Sequence, residues 1–177
     1  YVTAHFGKWD ARYDDFTPEE MGYDFSDGLT SNNTGGGKNT LRKDETDFPF
    51  AMGKAWPKAY DDPKLIFSLT QRSNDFMEEQ AKNNKPFFIQ ISHYAVHLAI
   101  TYSQKNINKY SKSEKGEKHF VPEFAAMTED MDEGIGMILD KVADLDIEDN
   151  TYIIFLSDNG GRTSIPIGPK QKVARNF

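Results

Sequence analysis

Cysteine is absent from the 177 residues, so no disulfide framework or thiolate metal site can be built from them. Basic charge is in deficit: 21 Lys and Arg stand against 28 Asp and Glu, giving a net charge of −7. A nucleic-acid partner would need Lys and Arg gathered on one face, so that class is set aside. The densest basic stretch, residues 105–118, interleaves Lys105, Lys109, Lys112, Lys115 and Lys118 with Ser, Asn, Glu and Gly, and reads as a solvated loop. No apolar run reaches the ~18 residues that a membrane span needs. No signal peptide is seen, which says little, because the chain does not begin at a Met. The chain opens on Tyr1-Val2-Thr3, already strand-like, and stops soon after a strand-and-loop motif, so both ends read as cut.

What is present is core material. Thirteen Phe and eight Tyr, in a chain long enough for one domain, argue against wholesale disorder. Residues 1–6 are β-rich and Gly7 breaks them, which predicts a short strand. Residues 11–63 hold many Gly, Pro, Asp and Asn and read as a long loop. Asp62 and Pro63 suit the start of a helix, and Ile66, Leu69, Ser73, Phe76, Met77 and Gln80 follow with helical spacing to about Asn83. Residues 87–92 are nearly all apolar, as a buried strand would be. Pro122 opens a second helix with the stripe Phe124, Met127, Met131, Ile135, Ile138, Val142 and Leu145. Residues 151–156 read as another buried strand. The alternation predicts an α/β fold with a mainly parallel sheet flanked by helices.

Open sheets of this kind place their sites beyond the carboxyl ends of strands. Three such places carry suitable chemistry. Lys8 follows the first strand and offers a compact positive charge to an oxyanion, or is simply an exposed lysine. His93 and His97 follow the second strand. Either could donate to an anionic oxygen or protonate a leaving group, or sit as an ordinary surface or core histidine. Asp158 and Asn159 follow the third and supply two adjacent hard oxygens for calcium, or else an Asx turn closing a strand. All three places suit one ligand, an anionic ester beside a hard cation.

These residues also carry a resemblance. His5-Phe6-Gly7-Lys8-Trp9 resembles the G-K-W-H segment of sulfatases, and Pro18-Glu19-Glu20-Met21-Gly22-Tyr23-Asp24 resembles the stretch leading into their G-Y-D … D-G loop. Lys85-Pro86-Phe87-Phe88-Ile89-Gln90-Ile91-Ser92-His93-Tyr94-Ala95-Val96-His97 is similar to their K-P-F-F-L strand and its following histidine. Ala126-Met127, Met131-Asp132, Gly134 and Ile138-Leu139 resemble their central helix. Asp149-Asn150-Thr151, through Ser157-Asp158-Asn159-Gly160-Gly161, is close to their D-N-T and S-D-N-G-G motif.

The chain thus resembles a type I, formylglycine-dependent sulfatase of the alkaline-phosphatase-like superfamily. Residues 1–177 would be a partial catalytic domain, with the N-terminal nucleophile region and the C-terminal region outside it. The resemblance implies that Asp158 and Asn159 help hold one calcium ion, that Lys8 binds the sulfate group, and that His97 contacts the sulfate or the bridging ester oxygen. The formylglycine nucleophile, from a C/S-x-P-S-R motif, and an Asp-Asp calcium pair would lie upstream. A further sulfate-binding lysine would lie beyond Phe177, because the context of Lys170 and Lys172 does not match. Asp10 stands where the family has the histidine after G-K-W. That His helps hold the nucleophile, whereas a carboxylate there would repel a sulfate. Leu98-Ala99 replaces the usual Thr-Pro. The implied function is hydrolysis of sulfated glycans or aryl sulfates, in an exported or periplasmic protein. The alternatives are phosphate or phosphonate monoester hydrolysis on the same fold, and a degenerate sulfate-ester binder, which Asp10 suggests.

Overall fold

The computed structural model describes residues 1–9, 16–27, 62–97, 100–117 and 120–161, and the backbone of 164–167 and 172–175. Most of the long loop expected at 11–63, together with Asp10, lies outside the described residues.

Three parallel strands form the sheet: β1 (Val2–Gly7) in the centre, β2 (Phe25–Ser26) on one side and β3 (Phe87–Ser92) on the other. β1 and β3 run in register from Val2 opposite Phe87 to Gly7 opposite Ser92, so both strands end at one edge. Alternation along β1 sends Ala4 and Phe6 to one face, where they form the core with Leu65, Leu69, Phe76 and Tyr94. Phe76 lies on helix α1 (Ile66–Lys82) and meets an aromatic ring from each strand edge-on: Phe6 at 6.1 Å, Phe25 at 5.8 Å and Phe87 at 6.0 Å. Each contact of this kind adds ~0.5–1.5 kcal/mol beyond the area it buries. One helix residue thereby fixes α1 across the whole sheet.

The opposite face is more polar. His5 is buried there, its Nε2 3.1 Å from Ser92 Oγ and its ring edge-on to Trp9 and Tyr23. Tyr23 Oη donates to Gln90 Oε1 at 2.7 Å, tying the segment after β1 across the face of β3. Burial lowers the His5 pKa, against the raising fields of Asp27 and Glu19.

The entry to α1 differs from a simple cap. Asp62 does serve the helix, but from a distance: Oδ1 accepts Phe67 N–H at 2.8 Å and Ser68 N–H at 3.4 Å. Between them a 3-10 turn, Pro63–Leu65, carries Lys64 and Leu65 at φ 57° and 56°. Neither is glycine, so two side chains occupy a left-handed conformation that such residues seldom adopt.

Helix α3 (Pro122–Asp144) forms where Pro122 and the stripe predict it, but its buried face is rotated. The buried positions are Ala126, Met127, Asp130, Gly134 and Val142, while Phe124, Met131, Ile135 and Ile138 are only half-buried. Gly134 explains this: a Cβ there would sit 2.5 Å from Ile66 Cγ2, so only glycine lets α1 approach so closely.

Two expectations are corrected. The lysine-rich stretch is not all loop, because α2 (Gln104–Tyr110) forms under a Ser103 cap that accepts Asn106 N–H at 3.1 Å. Three of its positions face acidic groups of α3, which turns apparent solvated charge into pairing: Lys105–Glu133 at 2.7 Å, Lys109–Glu129 at 2.6 Å, and buried Asn106 donating to Asp130 at 2.8 Å. Residues 151–156 are not a buried strand. They join no sheet among the described residues, and Tyr152 is 99% and Leu156 81% exposed. An apolar run of this type is buried only when strands and helices cover it, and none of the described elements does so. A hairpin of β4 (Ser164–Ile167) and β5 (Lys172–Arg175), unforeseen in the sequence, closes the described chain.

Candidate functional site

Gly7 ends β1 at φ 97°, and a Cβ on it would lie 2.2 Å from Ser92 O. No other residue fits this approach, which is why the strand turns here. The next residue, Lys8, is held against β3 by its N–H donating to Ser92 O at 2.7 Å. Lys8 itself is half-buried.

Asp27 fixes the same point from the other side. Its Oδ2 accepts Gly7 N–H at 2.8 Å and Arg72 Nη2–H at 2.7 Å, on a nearly buried carboxylate. Leu69 and Arg72, in the first two turns of α1, thus lie at the carboxyl end of β1, as the close approach of Leu69 Cδ2 to Gly7 also shows. Sequence reasoning passed over Asp27 and Arg72. The only signal was the Asp27-Gly28 pair within the G-Y-D … D-G loop, which gives no hint of a partner 45 residues on.

After β3 the chain makes a turn in which His97 N–H donates to Tyr94 O at 3.0 Å. Tyr94 is buried in the core and holds one end of this turn, leaving His97 exposed. The other end is tied to α3: Ser103 N–H donates to Asp130 Oδ2 at 2.7 Å, with Asn106 on Oδ1. Asp130 is fully buried, a carboxylate satisfied by donors from the segment that follows the histidines. It was also missed, because an acidic residue in an apolar helical stripe reads as a solvated position.

Lys8 and His97 follow adjacent parallel strands that end in register, so both stand at one edge of the sheet. Asp158 and Asn159 lie in an exposed turn after the unpaired segment, with Asn159 N–H on Asp158 Oδ1 at 2.9 Å and Gly160 N–H on Ser157 Oγ at 3.0 Å. Their two oxygens are of the hard type that calcium takes, but they fill only part of its shell. Among the described residues no group of three His, Asp or Glu side chains is gathered for a metal ion. Asp10 lies outside the described residues.

The family model described as Sulfatase matches residues 1–173. The chain belongs to the sulfatase family. Among curated relatives, an ulvan-active sulfatase of Formosa agariphila is 28% identical over 178 residues, which cover 90% of this chain and 33% of that protein. The human N-acetylgalactosamine-6-sulfatase is 30% identical over 90 residues, covering 51% of this chain and 15% of that one. The crystal structure of Ps i-CgsB in complex with k-i-k-neocarrahexaose shares the fold, with a TM-score of 0.57 at 15% identity over 85% of this chain and 35% of that one. The chain therefore spans about a third of the length of the ulvan-active relative. Within the described residues, no helix of this sulfatase chain is long and apolar enough to cross a membrane.

Proposed function

We propose that this chain is part of the catalytic domain of an enzyme that hydrolyses sulfate esters, on sulfated glycans or aryl sulfates. The supporting observation is the placement of Lys8 and His97 at one carboxyl edge of a parallel sheet, in a chain matched over residues 1–173 to the sulfatase family. The names of the curated relatives, one ulvan-active and one acting on N-acetylgalactosamine 6-sulfate, favour a carbohydrate substrate.

In this reading the Lys8 ammonium pairs with the sulfate oxygens and stabilises charge that grows on the leaving oxygen. His97, exposed on its turn, donates a proton or hydrogen bond to the bridging oxygen. Asp158 and Asn159 would contribute two oxygen ligands to calcium, which when bound supplies fixed positive charge beside the sulfate. A formylglycine hydrate, from a segment outside these residues, would supply the attacking oxygen. Asp27, paired with Arg72, fixes the amide of Gly7 and so the point from which Lys8 leaves the strand.

The test is turnover of an aryl sulfate by the full-length protein and its Lys8→Ala variant. Loss of one charged donor is expected to lower kcat/KM by ~100-fold or more. Unchanged turnover in the variant would remove Lys8 from the site. A second reading, a sulfate-ester binder without catalysis, is favoured by Asp10 in the place of the family's histidine. It predicts calcium-dependent binding of a sulfated glycan with no release of sulfate.

A further inference from the structure

A lysine side chain is long and flexible, so it meets a sulfate from a fixed point only if its own main chain is held. Asp27 holds the residue before Lys8. Two further contacts hold Lys8 itself and the residue after it, and both lead to His5. Lys8 N–H donates to Ser92 O at 2.7 Å, and Ser92 Oγ lies 3.1 Å from His5 Nε2. The Trp9 ring stands edge-on to the His5 ring, with centroids 5.0 Å apart, while its Nε1–H donates to Phe16 O at 2.8 Å.

His5 is 1% exposed, and its Nδ1 has no partner among the described residues. Among those residues the polar contact of the ring is the one to Ser92. Burying an imidazole with one nitrogen unpaired is unfavourable, and an apolar side chain would fill the place without that cost. The other nitrogen is therefore the feature to explain. Its partner Ser92 is tied in turn: Gln90 Nε2 donates to Ser92 Oγ at 3.2 Å, and Gln90 Oε1 accepts from Tyr23 Oη at 2.7 Å. The Tyr23 ring then meets Trp9 edge-on at 6.3 Å. His5, Trp9, Tyr23, Gln90 and Ser92 thus close a ring of contacts, each touching the next. Lys8 enters this ring at two places, through its N–H on Ser92 and through its peptide bond to Trp9. A closed network of this kind has few other arrangements, and His5 is the member that touches both of those places.

We propose that His5 is a positioning residue for Lys8: through Ser92 and Trp9 it fixes the main chain at Lys8 and just after it, and so the point from which the ammonium reaches the sulfate. The inference rests on the reading of Lys8 as a sulfate-binding lysine. His5 acts through its neighbours and is not itself a catalytic residue.

The test is a double-mutant cycle on aryl sulfate turnover by the full-length protein. His5→Phe keeps a ring against Trp9 and removes the nitrogen. Ser92→Ala removes the hydroxyl and keeps the carbonyl that Lys8 binds. Each is expected to lower kcat/KM about tenfold in the wild-type background, as a small misplacement of a charged donor does. In the Lys8→Ala background each should cost less than about twofold, because the placement of an ammonium that is gone no longer matters. A side chain that only supports the fold would lower turnover by the same factor in both backgrounds. That result overturns the proposal, and so does full activity of both variants. Should His5→Phe fail to fold, Ser92→Ala carries the cycle alone. Wild-type turnover in Lys8→Ala would sink the reading of Lys8 and this inference with it. An impaired Lys8→Ala with an additive cycle would sink this inference alone. Hydrogen exchange on the peptide that carries Lys8 gives a readout without turnover. Its amides should exchange about tenfold faster in His5→Phe and Ser92→Ala, with the protection of α1 unchanged. Unchanged exchange at Lys8 overturns the proposal. If the full-length protein releases no sulfate, the hydrolase reading fails, and the exchange result decides whether His5 holds Lys8.

Discussion

Asp27 shows how much a single carboxylate can decide. It binds the amide of Gly7, pairs with Arg72 and so sets where Lys8 leaves the sheet. Removing one partner of a buried ion pair costs ~3–5 kcal/mol, because the other charge is left unpaired. Arg72 is partly open, with 22% of its side chain exposed, so water relieves some of that. Asp27→Ala is therefore expected to lower the unfolding free energy by about 2–3 kcal/mol in a denaturant titration. Asp27→Asn keeps one acceptor and should lose less. A change below about 1 kcal/mol for Asp27→Ala would mean that Gly7 and Arg72 find other partners. Lys8 and His97 were visible as residues because each follows an apolar strand. Asp27 was not, since its role depends on a guanidinium 45 residues away that no local pattern announces.

At the scale of elements, α1 and α3 show what periodicity carries and where it stops. All six positions read as the inner face of α1 are buried. On α3 the apolar stripe pointed partly to the wrong face, because two of the buried positions are a glycine and an aspartate, which no hydrophobic pattern marks. Gly134 makes the difference measurable. In an exposed helix interior Gly→Ala stabilises by ~1 kcal/mol. Here the added methyl would stand 2.5 Å from Ile66 Cγ2 and 3.0 Å from Thr70 Oγ1, both on residues with no exposed surface. Ile66 is β-branched and stiff, so the helices must separate, and overpacking typically costs ~1–3 kcal/mol. Thr70 Oγ1 would also lose its 3.2 Å bond to Gly134 O. The steric term outweighs the propensity, and Gly134→Ala is expected to lower the thermal midpoint. A higher midpoint would show that α1 and α3 slide apart freely. Residues 105–118 failed for the opposite reason: the lysines look solvated until the acidic face of α3 is placed beside them.

For the whole molecule, the three-stranded sheet and its helix are self-consistent, but the run 152–156 is not satisfied by them. Tyr152, Ile153, Ile154, Phe155 and Leu156 are all more than half exposed, a contiguous apolar segment of the kind that monomeric proteins seldom leave in water. Such a sequence is made for a parallel strand covered on both faces. Two states of the same residues can therefore be compared. In the 177-residue chain, Phe155 makes no part of the core, so Phe155→Ser should leave the unfolding midpoint nearly unchanged. It should also reduce self-association, since an exposed apolar segment with unpaired backbone invites pairing between chains. In a chain extended to the length of the ulvan-active relative, a strand inserted in the sheet would bury Phe155. The same substitution should then destabilise by roughly 3–5 kcal/mol, as truncation of a buried aromatic does. Sedimentation and thermal unfolding of both lengths make the comparison. If Phe155→Ser destabilises the 177-residue chain as strongly as the longer one, the segment is already packed in the shorter chain. If it affects neither, the run 152–156 is not a strand of the sheet. The turn that carries Asp158 and Asn159 would then lack the rigid support that a calcium site needs.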